Sequence, residues 1–305
     1  MIRTKTGAAA FSIVSNSVLI ALKLAAGAIT GSIAIITEAI HSAIDLLASV
    51  IAFISVRKAD EPADAEHPYG HARMENLAAA IEGMLILVGA GVIVFEATRR
   101  LVDHSPVDDL GVGIAVIAFS MVANVAVSTF LYRRAKALES PALEGDAAHL
   151  RTDALTSLGV LVGLLLVEIT GEPAFDAIAA LAVAAAIVLA GIRILSRSSR
   201  VLVDEAPPPE ELDRIEEAIA AERAHHPEIC GYHKLRARRG GAKRYIDLHL
   251  QFSAGTTLET AHALAHEVRG SIERSIPNSE VLIHAEPETS LLPPEEESAG
   301  PYRAG

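Results

Sequence analysis

A single cysteine, Cys230, is all that this 305-residue chain contains, which excludes a disulfide framework and a cysteine-rich metal site. Any metal this sequence holds is therefore held by His, Asp and Glu. Basic charge is scarce as well: 26 Lys and Arg stand against 38 Asp and Glu, a formal net charge of -12. Phosphate recognition needs a basic face, so no nucleic-acid partner is expected. A protease signature is missing too. His266 and Glu267 begin an HExxH pattern, but Gly270 stands where the second histidine belongs, so hydrolysis has no support and no enzymatic role is expected. Arg3 and Lys5 precede an apolar run without a small-residue cleavage site and a soluble domain behind it, which reads as a retained first span rather than a signal peptide.

What the chain has in excess is apolar surface. Hydrophobic residues make up 51% of it, too much for an ordinary soluble domain of this length. Apolar stretches run over about residues 8 to 30, 33 to 56, 77 to 99, 110 to 132, 147 to 169 and 174 to 195, each near the length that ~30 Å of hydrocarbon requires. Basic residues flank the second, fourth and last of the following segments: Arg57, Lys58 and Arg73; Arg133, Arg134 and Lys136; Arg193, Arg197 and Arg200. The connections around Gly31 and Gly171 carry none, while the third dissents with Arg99 and Arg100 opposed by Asp103, Asp108 and Asp109. The bias predicts a multi-pass protein of the inner (plasma) membrane with both termini cytoplasmic.

Beyond Asp204 charged residues become frequent, and Pro207, Pro208 and Pro209 form a stiff break. The division expected is a six-span transmembrane domain over 1–203, a cytosolic domain over 204–287 and a disordered, Glu- and Pro-rich tail over 288–305. Within the second part the pattern predicts helix at about 210–225, strands at 229–238 and 243–252, helix at 257–275 and strand at 279–285. The fold class is thus a membrane all-α six-helix bundle followed by an α+β unit of ferredoxin-like αββαβ type.

Ionisable side chains in the middle of a bilayer are costly, roughly 2.5 to 3.5 kcal/mol on the lenient scales, so each needs a reason. Four of them form two matched pairs: His41 and Asp45 in EAIHSAID, and His149 and Asp153 in DAAHLRTD. A spacing of four stacks both side chains on one helix face. Two such faces turned toward each other would bring two imidazoles and two carboxylates to one point, a tetrahedral cage suited to Zn²⁺. The bland alternative is a set of isolated hydrogen-bonded helix residues. Without metal the cage carries about -2 in a low dielectric, which one divalent cation or protons would cancel, so metal and protons compete for it. Metal/proton exchange by alternating access follows, with His41 and His149 as the proton carriers nearest neutral pH. Glu38, one turn before His41, reads as a vestibule group or as a residue that supports the ligands from behind; Asn16, Lys23, Glu82 and Asn124 read as interhelical hydrogen-bond partners or snorkelling residues.

Two further sets of donors lie outside the spans. Asp64, His67 and His71 fall within the turn-forming segment DAEHPYGH, where they either share a labile ion or stay solvated. His233, His249, His262, His284 and Glu286 are scattered over the elements of the last domain. They meet only if it folds around them, in a cytosolic metal site, or else are surface histidines.

Paired HxxxD motifs in the second and fifth spans, HPYGH after the second, and a domain ending in VLIHAEP occur together and in order. In these features the chain resembles the cation diffusion facilitator family from about residue 7 to 287. The resemblance implies a homodimeric transporter in the lipid bilayer with His41, Asp45, His149 and Asp153 as transport site and Asp64, His67 and His71 as loop site. His233, His249, His262, His284 and Glu286 then match a cytosolic binuclear site that helps dimerise the domain, and Arg73 and Asp204 match a charge interlock between loop and domain. Two departures bear on metal choice: His41 stands where some bacterial relatives have Asp, and Glu286 where some have Asp. Imidazole in place of carboxylate favours Zn²⁺ over Mn²⁺ and disfavours the larger Cd²⁺.

The function expected is a Zn²⁺/H⁺ antiporter that exports zinc, with Zn²⁺ also bound at the structural or regulatory sites. Two alternatives stay open. One is an exporter of Fe²⁺, Mn²⁺ or Co²⁺ with the same architecture; the other is a membrane-anchored metal sensor or assembly protein that does not transport.

Overall fold

The computed structural model describes residues 4–30, 33–103, 112–172 and 174–288. Among them the order is α1 (Lys5–Thr30), α2 (Ile33–Ala59), α3 (Met74–Asp103), α4 (Val112–Leu138), α5 (Pro141–Thr170) and α6 (Ala174–Leu202). There follow α7 (Pro209–His225), β1 (Ile229–Gly240), β2 (Lys243–Phe252), α8 (Leu258–Ser275) and β3 (Ser279–Pro287). Contacts divide the chain between Leu202 and Val203 into two compact units. Helices α1, α3, α4, α5 and α6 are each long and apolar enough to cross a membrane. Every helix of the first unit is longer than the apolar run that predicts it. Thus α2 continues through Arg57 and Lys58, and α4 through Lys136, because backbone pairing does not stop where lipid does and basic side chains suit a helix C-terminus.

In the first unit α1 lies along α2, α3 along α6 and α4 along α5, and α5 also touches α2, α3 and α6. Alanines line the contacts. Ala8, Ala9, Ala52, Ala78, Ala135, Ala142 and Ala147 are all buried in one cluster with Leu131, Leu143 and Leu150. In lipid, helices gain from close backbone approach rather than from hydrophobic burial, which small residues permit. One such approach is at Gly83 of α3, where an added Cβ would stand 2.9 Å from the Leu195 backbone nitrogen of α6.

Polar contacts fix the ends. Ser140 caps α5 by accepting from Leu143 N, ahead of Pro141 in the first helical position. The same hydroxyl donates to Glu75 of α3, whose other oxygen accepts from Lys5 of α1 at 2.6 Å. At the other end Arg100 of α3 pairs with Asp176 of α6 at 3.3 Å and with Glu96 at 3.2 Å. The basic pair that dissented from the loop bias thus has its Arg100 neutralised within the bundle.

The second unit is a three-stranded sheet in the order β1-β2-β3, antiparallel between β1 and β2 and parallel between β2 and β3. The parallel pair needs a crossover, which α8 supplies. In β2 the residues Ile246, Leu248, Leu250 and Phe252 alternate with Asp247, His249 and Gln251. The first set is buried against Ile215 and Ile219 of α7 and Leu264, Val268 and Ile272 of α8, which leaves the second set on the opposite face. Thr257 caps α8 by accepting from Thr260 N at 3.2 Å.

Glu211, in the first turn of α7, is buried between Arg239 and Arg244, with Arg244 Nη2 at 3.2 Å from its carboxylate. Burial alone would raise its pKa, but hydrogen bonds from the two guanidinium groups hold it below the usual carboxylate range. A carboxylate lowered on folding adds stability above its unfolded pKa and loses it as pH falls through the folded value. Glu211→Gln is therefore expected to destabilise the second unit at neutral pH by about 2 kcal/mol and to flatten its stability loss between about pH 5 and pH 3. Hydrogen exchange of the β1 and β2 amides in the full chain measures this; wild-type pH dependence in the variant would refute it.

Candidate metal centres

Helices α2 and α5 bring Asp45, His149 and Asp153 together, each offering a donor atom within 4.8 Å of the others. His149 Nε2 stands 3.3 Å from Asp45 Oδ1, and both residues are buried. Donors bound to zinc at about 2.0 to 2.2 Å in a tetrahedron lie about 3.3 to 3.6 Å apart, so this spacing fits a shared cation. Among the described residues His149 Nδ1 has no hydrogen-bond partner. The backbone of α2 is described through His41, but its side chain lies outside the described residues, as does that of Glu38.

The polar groups around this cluster are tied to one another. Asn16 donates to Ser49 Oγ at 2.8 Å, Ser49 donates to Asp146 Oδ1 at 2.8 Å, and Lys23 donates to Ser42 at 2.7 Å. Asn16 and Lys23 thus serve as the interhelical partners expected of them. Glu82 does not. It is wholly buried, among the described residues neither carboxyl oxygen has a hydrogen-bond partner, and Oε2 occupies the place a side chain at Gly145 would take.

In the segment between α2 and α3, Asp64 Oδ1 accepts from His67 N at 2.7 Å and Glu66 N at 3.0 Å, an Asx turn. His71 Nε2 is 3.3 Å from Asp64 Oδ2 and 3.2 Å from His67 Nδ1. His71 is buried, whereas Asp64 and His67 are exposed. The backbone N–H of His67, opposed by desolvation and aided by the N–H of Glu66, holds the Asp64 carboxyl below its usual range. The three residues each offer a donor atom within 4.8 Å of the others, two of them exposed and His71 buried. Gly70 makes the turn at φ 82°, a left-handed conformation that favours glycine.

Sheet register explains the third cluster. His233 pairs with His249 across β1 and β2, and His249 with His284 across β2 and β3, so the three imidazoles form a row on the face away from the helices. Their ring centroids lie 5.1 and 4.7 Å apart. Glu286, two residues beyond His284, reaches back to His233 and, at 3.1 Å, to His249 Nδ1. Burial would raise the Glu286 pKa; hydrogen bonds from His249 and His233 bring it below the usual range instead. His262 is not part of this row. Helix α8 packs on the opposite sheet face through Ala261 and Leu264, which leaves His262 exposed with its ring 4.5 Å from that of His266.

Arg73 donates to the Leu202 carbonyl at 3.4 Å, and Asp204 accepts from Arg238 at 3.1 Å. A fourth group escaped the sequence reading. His226 lies 2.9 Å from Glu267 and 3.8 Å from Glu222; the spacing of four between Glu222 and His226 was its one local signal, and Glu267 joins only through packing of α7 on α8. His226 also caps the C-terminus of α7, so a structural ion pair accounts for it.

Long apolar helices holding a buried imidazole and carboxylate cluster define a multi-pass membrane protein with donor sets of the kind that hold divalent cations. Residues 9–203 match the cation efflux transmembrane domain, and residues 207–288 match the cation efflux protein, cytoplasmic domain. The chain belongs to the cation diffusion facilitator family of cation efflux transporters. It is 33% identical over 266 residues to an uncharacterised transporter, sll1263, of Synechocystis, covering 87% of this chain and 85% of the relative. The cation-efflux pump FieF of Citrobacter koseri is 31% identical over 293 residues, 96% of each chain, and that of Klebsiella pneumoniae 32% over 277 residues, 91% of this chain and 90% of the relative. A zinc-form structure of a candidate zinc transporter, CzrB, is 30% identical, with 30% of this chain and 99% of that chain covered and a TM-score of 0.27.

If Glu286 is a donor to the β-sheet cluster, Glu286→Gln will weaken zinc binding there by about tenfold or more while the sheet stays intact. Competition between the full-length protein and a fluorescent chelator reads the affinity; an unchanged value removes Glu286 from the donor set.

Proposed function

We propose that the protein exports Zn²⁺ in exchange for protons by alternating access, with His41, Asp45, His149 and Asp153 as its transport site. The observation that carries the reading is the meeting of Asp45, His149 and Asp153 from two helices inside the apolar unit. Two carboxylates there leave about -2 of charge that a divalent cation or protons must balance. Metal entry therefore expels protons, and proton return expels metal. The imidazole content of the site favours zinc over Mn²⁺ and other hard cations; the relatives named cation-efflux pumps support export without naming a metal.

All six helices α1 to α6 cross the inner membrane in this reading, with both termini cytoplasmic. Residues 1–203 form the transmembrane domain, 204–287 a ferredoxin-like cytosolic domain and 288–305 its tail. Two chains associate through the sheet face that bears His233, His249, His284 and Glu286, where zinc adds a structural or regulatory charge bridge. Asp64, His67 and His71 hold a labile ion at the loop. Arg73 and Asp204 interlock loop and domain.

Zinc applied to proteoliposomes enclosing a pH dye is expected to drive proton counterflow in the wild type. Asp45→Ala and Asp153→Ala reduce it by more than about tenfold, while His249→Ala leaves a measurable flux. Zinc uptake without proton movement would overturn the exchange, and loss confined to His249→Ala would point to a sensor instead of a carrier.

A further inference from the structure

Glu82 of α3 is a buried ionisable group of the first unit that belongs to none of the metal clusters. Its side chain is wholly buried, and among the described residues neither carboxyl oxygen has a hydrogen-bond partner. Of the ionisable groups on the helices packed against α3, the one that acts on it is Asp146 of α5, also wholly buried. Helix α6 presents Leu195 beside the neighbouring Gly83, and its Arg197 is engaged by Glu144 at 2.6 Å. From α2, Ser49 donates to Asp146 Oδ1, and Ser12 of α1 bonds the same carboxyl. Two neighbouring buried carboxyl groups are costly to ionise together, and the His149 imidazole, one turn along α5, acts on Asp146 and not on Glu82. Asp146 has hydroxyl donors for a negative charge and Glu82 has none, so the proton resides on Glu82.

Glu82 Oε2 lies against Gly145, where an added Cβ would meet it at 1.9 Å, and among the described residues no cluster of metal donors includes Glu82. Glu82 and His149 each lie eight residues from the first residue of their helices, about 12 Å along the axis. Asp146 stands one turn from His149 on the same helix. Ser140 and Glu75 join the starts of the two helices, so Glu82 stands at about the level of His149 but against α5, whereas His149 meets Asp45 of α2.

We propose that Glu82, facing Asp146, is a proton-binding site of the membrane unit, separate from the metal donors, filled in this conformation and emptied when the α3–α5 seam opens to water. The inference rests on the exchange reading above and extends it: one of the counter-transported protons rides on a residue that never touches metal. The step is a proton transfer alone. The Glu82 O–H bond breaks, its electron pair stays on the carboxylate oxygen, and the proton passes to water in the opened seam. In the return step the carboxylate takes a proton from water and the seam closes dry. Because the closed contact admits only the neutral acid, closing is coupled to proton uptake.

The test uses full-length protein in proteoliposomes, with zinc as the metal and simultaneous readout of zinc influx and lumenal pH. Glu82→Gln imitates the protonated form and cannot release a proton. It is expected to bind zinc within about twofold of wild type, turn over about tenfold more slowly or worse, and move one proton fewer per zinc, with a flattened pH profile. Glu82→Asp, which keeps a titratable carboxyl, should restore the ratio. Should Glu82→Gln fail to assemble, Glu82→Met fills a similar volume and carries the same expectation. An unchanged proton ratio and pH profile in a wild type that does exchange would overturn this proposal alone. A Glu82→Asp variant as impaired as Glu82→Gln would reduce Glu82 to a packing role. A wild type that moves zinc without protons would overturn the exchange reading and this proposal with it.

Discussion

Asp146 stands where four helices of the first unit are tied together. Ser49 of α2 donates to it, Ser12 of α1 bonds it, Glu82 of α3 faces it, and α5 carries it one turn ahead of His149. Apolar surroundings offer no water to an unmatched polar group, so each of these side chains has one tolerable position relative to the others. That requirement orients α5. Once Asp146 is turned toward α1, α2 and α3, the helical repeat turns His149 and Asp153 toward Asp45. The alanine contacts between α1, α2, α4 and α5 then allow the helices to come close enough for the donors to converge.

The two units solve the same problem by different backbone geometries. In the first, donors come from a period of four along α5 and from a second helix laid against it. In the second they come from cross-strand register, which lines up His233, His249 and His284 in one row and adds Glu286 two residues along β3. The sheet can present that row because its other face is occupied by α7 and α8, whose apolar side chains fill the core. Both clusters mix imidazole with carboxylate, a donor set that suits a borderline cation such as zinc better than a hard one. The Asp64, His67 and His71 group differs by having two of its three members exposed.

Membership in a family of cation efflux transporters gives the buried carboxyls a common context. A residue such as Glu82, neutral only while its seam stays dry, is tolerated in a carrier because the carrier changes conformation. Stability lost to an unsatisfied acid is offset elsewhere, for example by the Lys5, Glu75 and Ser140 contacts that pin α1, α3 and α5 at one end of the bundle.

Apolar run length and period-two alternation were enough to read the helices and strands from the sequence, and the HxxxD spacing put His149 and Asp153 on one face of α5. Those features are local: they depend on residues within one or two turns of each other. What stayed hidden depends on which elements pack together. No spacing relates Ser49 to Asp146, or Glu82 to Gly145, since the partners lie on different helices. His262 shows the limit from the other side. As a histidine near other histidines it reads as a ligand, yet the apolar stripe of α8 turns it away from the row on the sheet. The sequence by itself determined the elements, their apolar faces and the types of donor available. Only the tertiary structure decided which donors meet and which acid is left dry, because those outcomes depend on helix crossings and strand register rather than on neighbours along the chain.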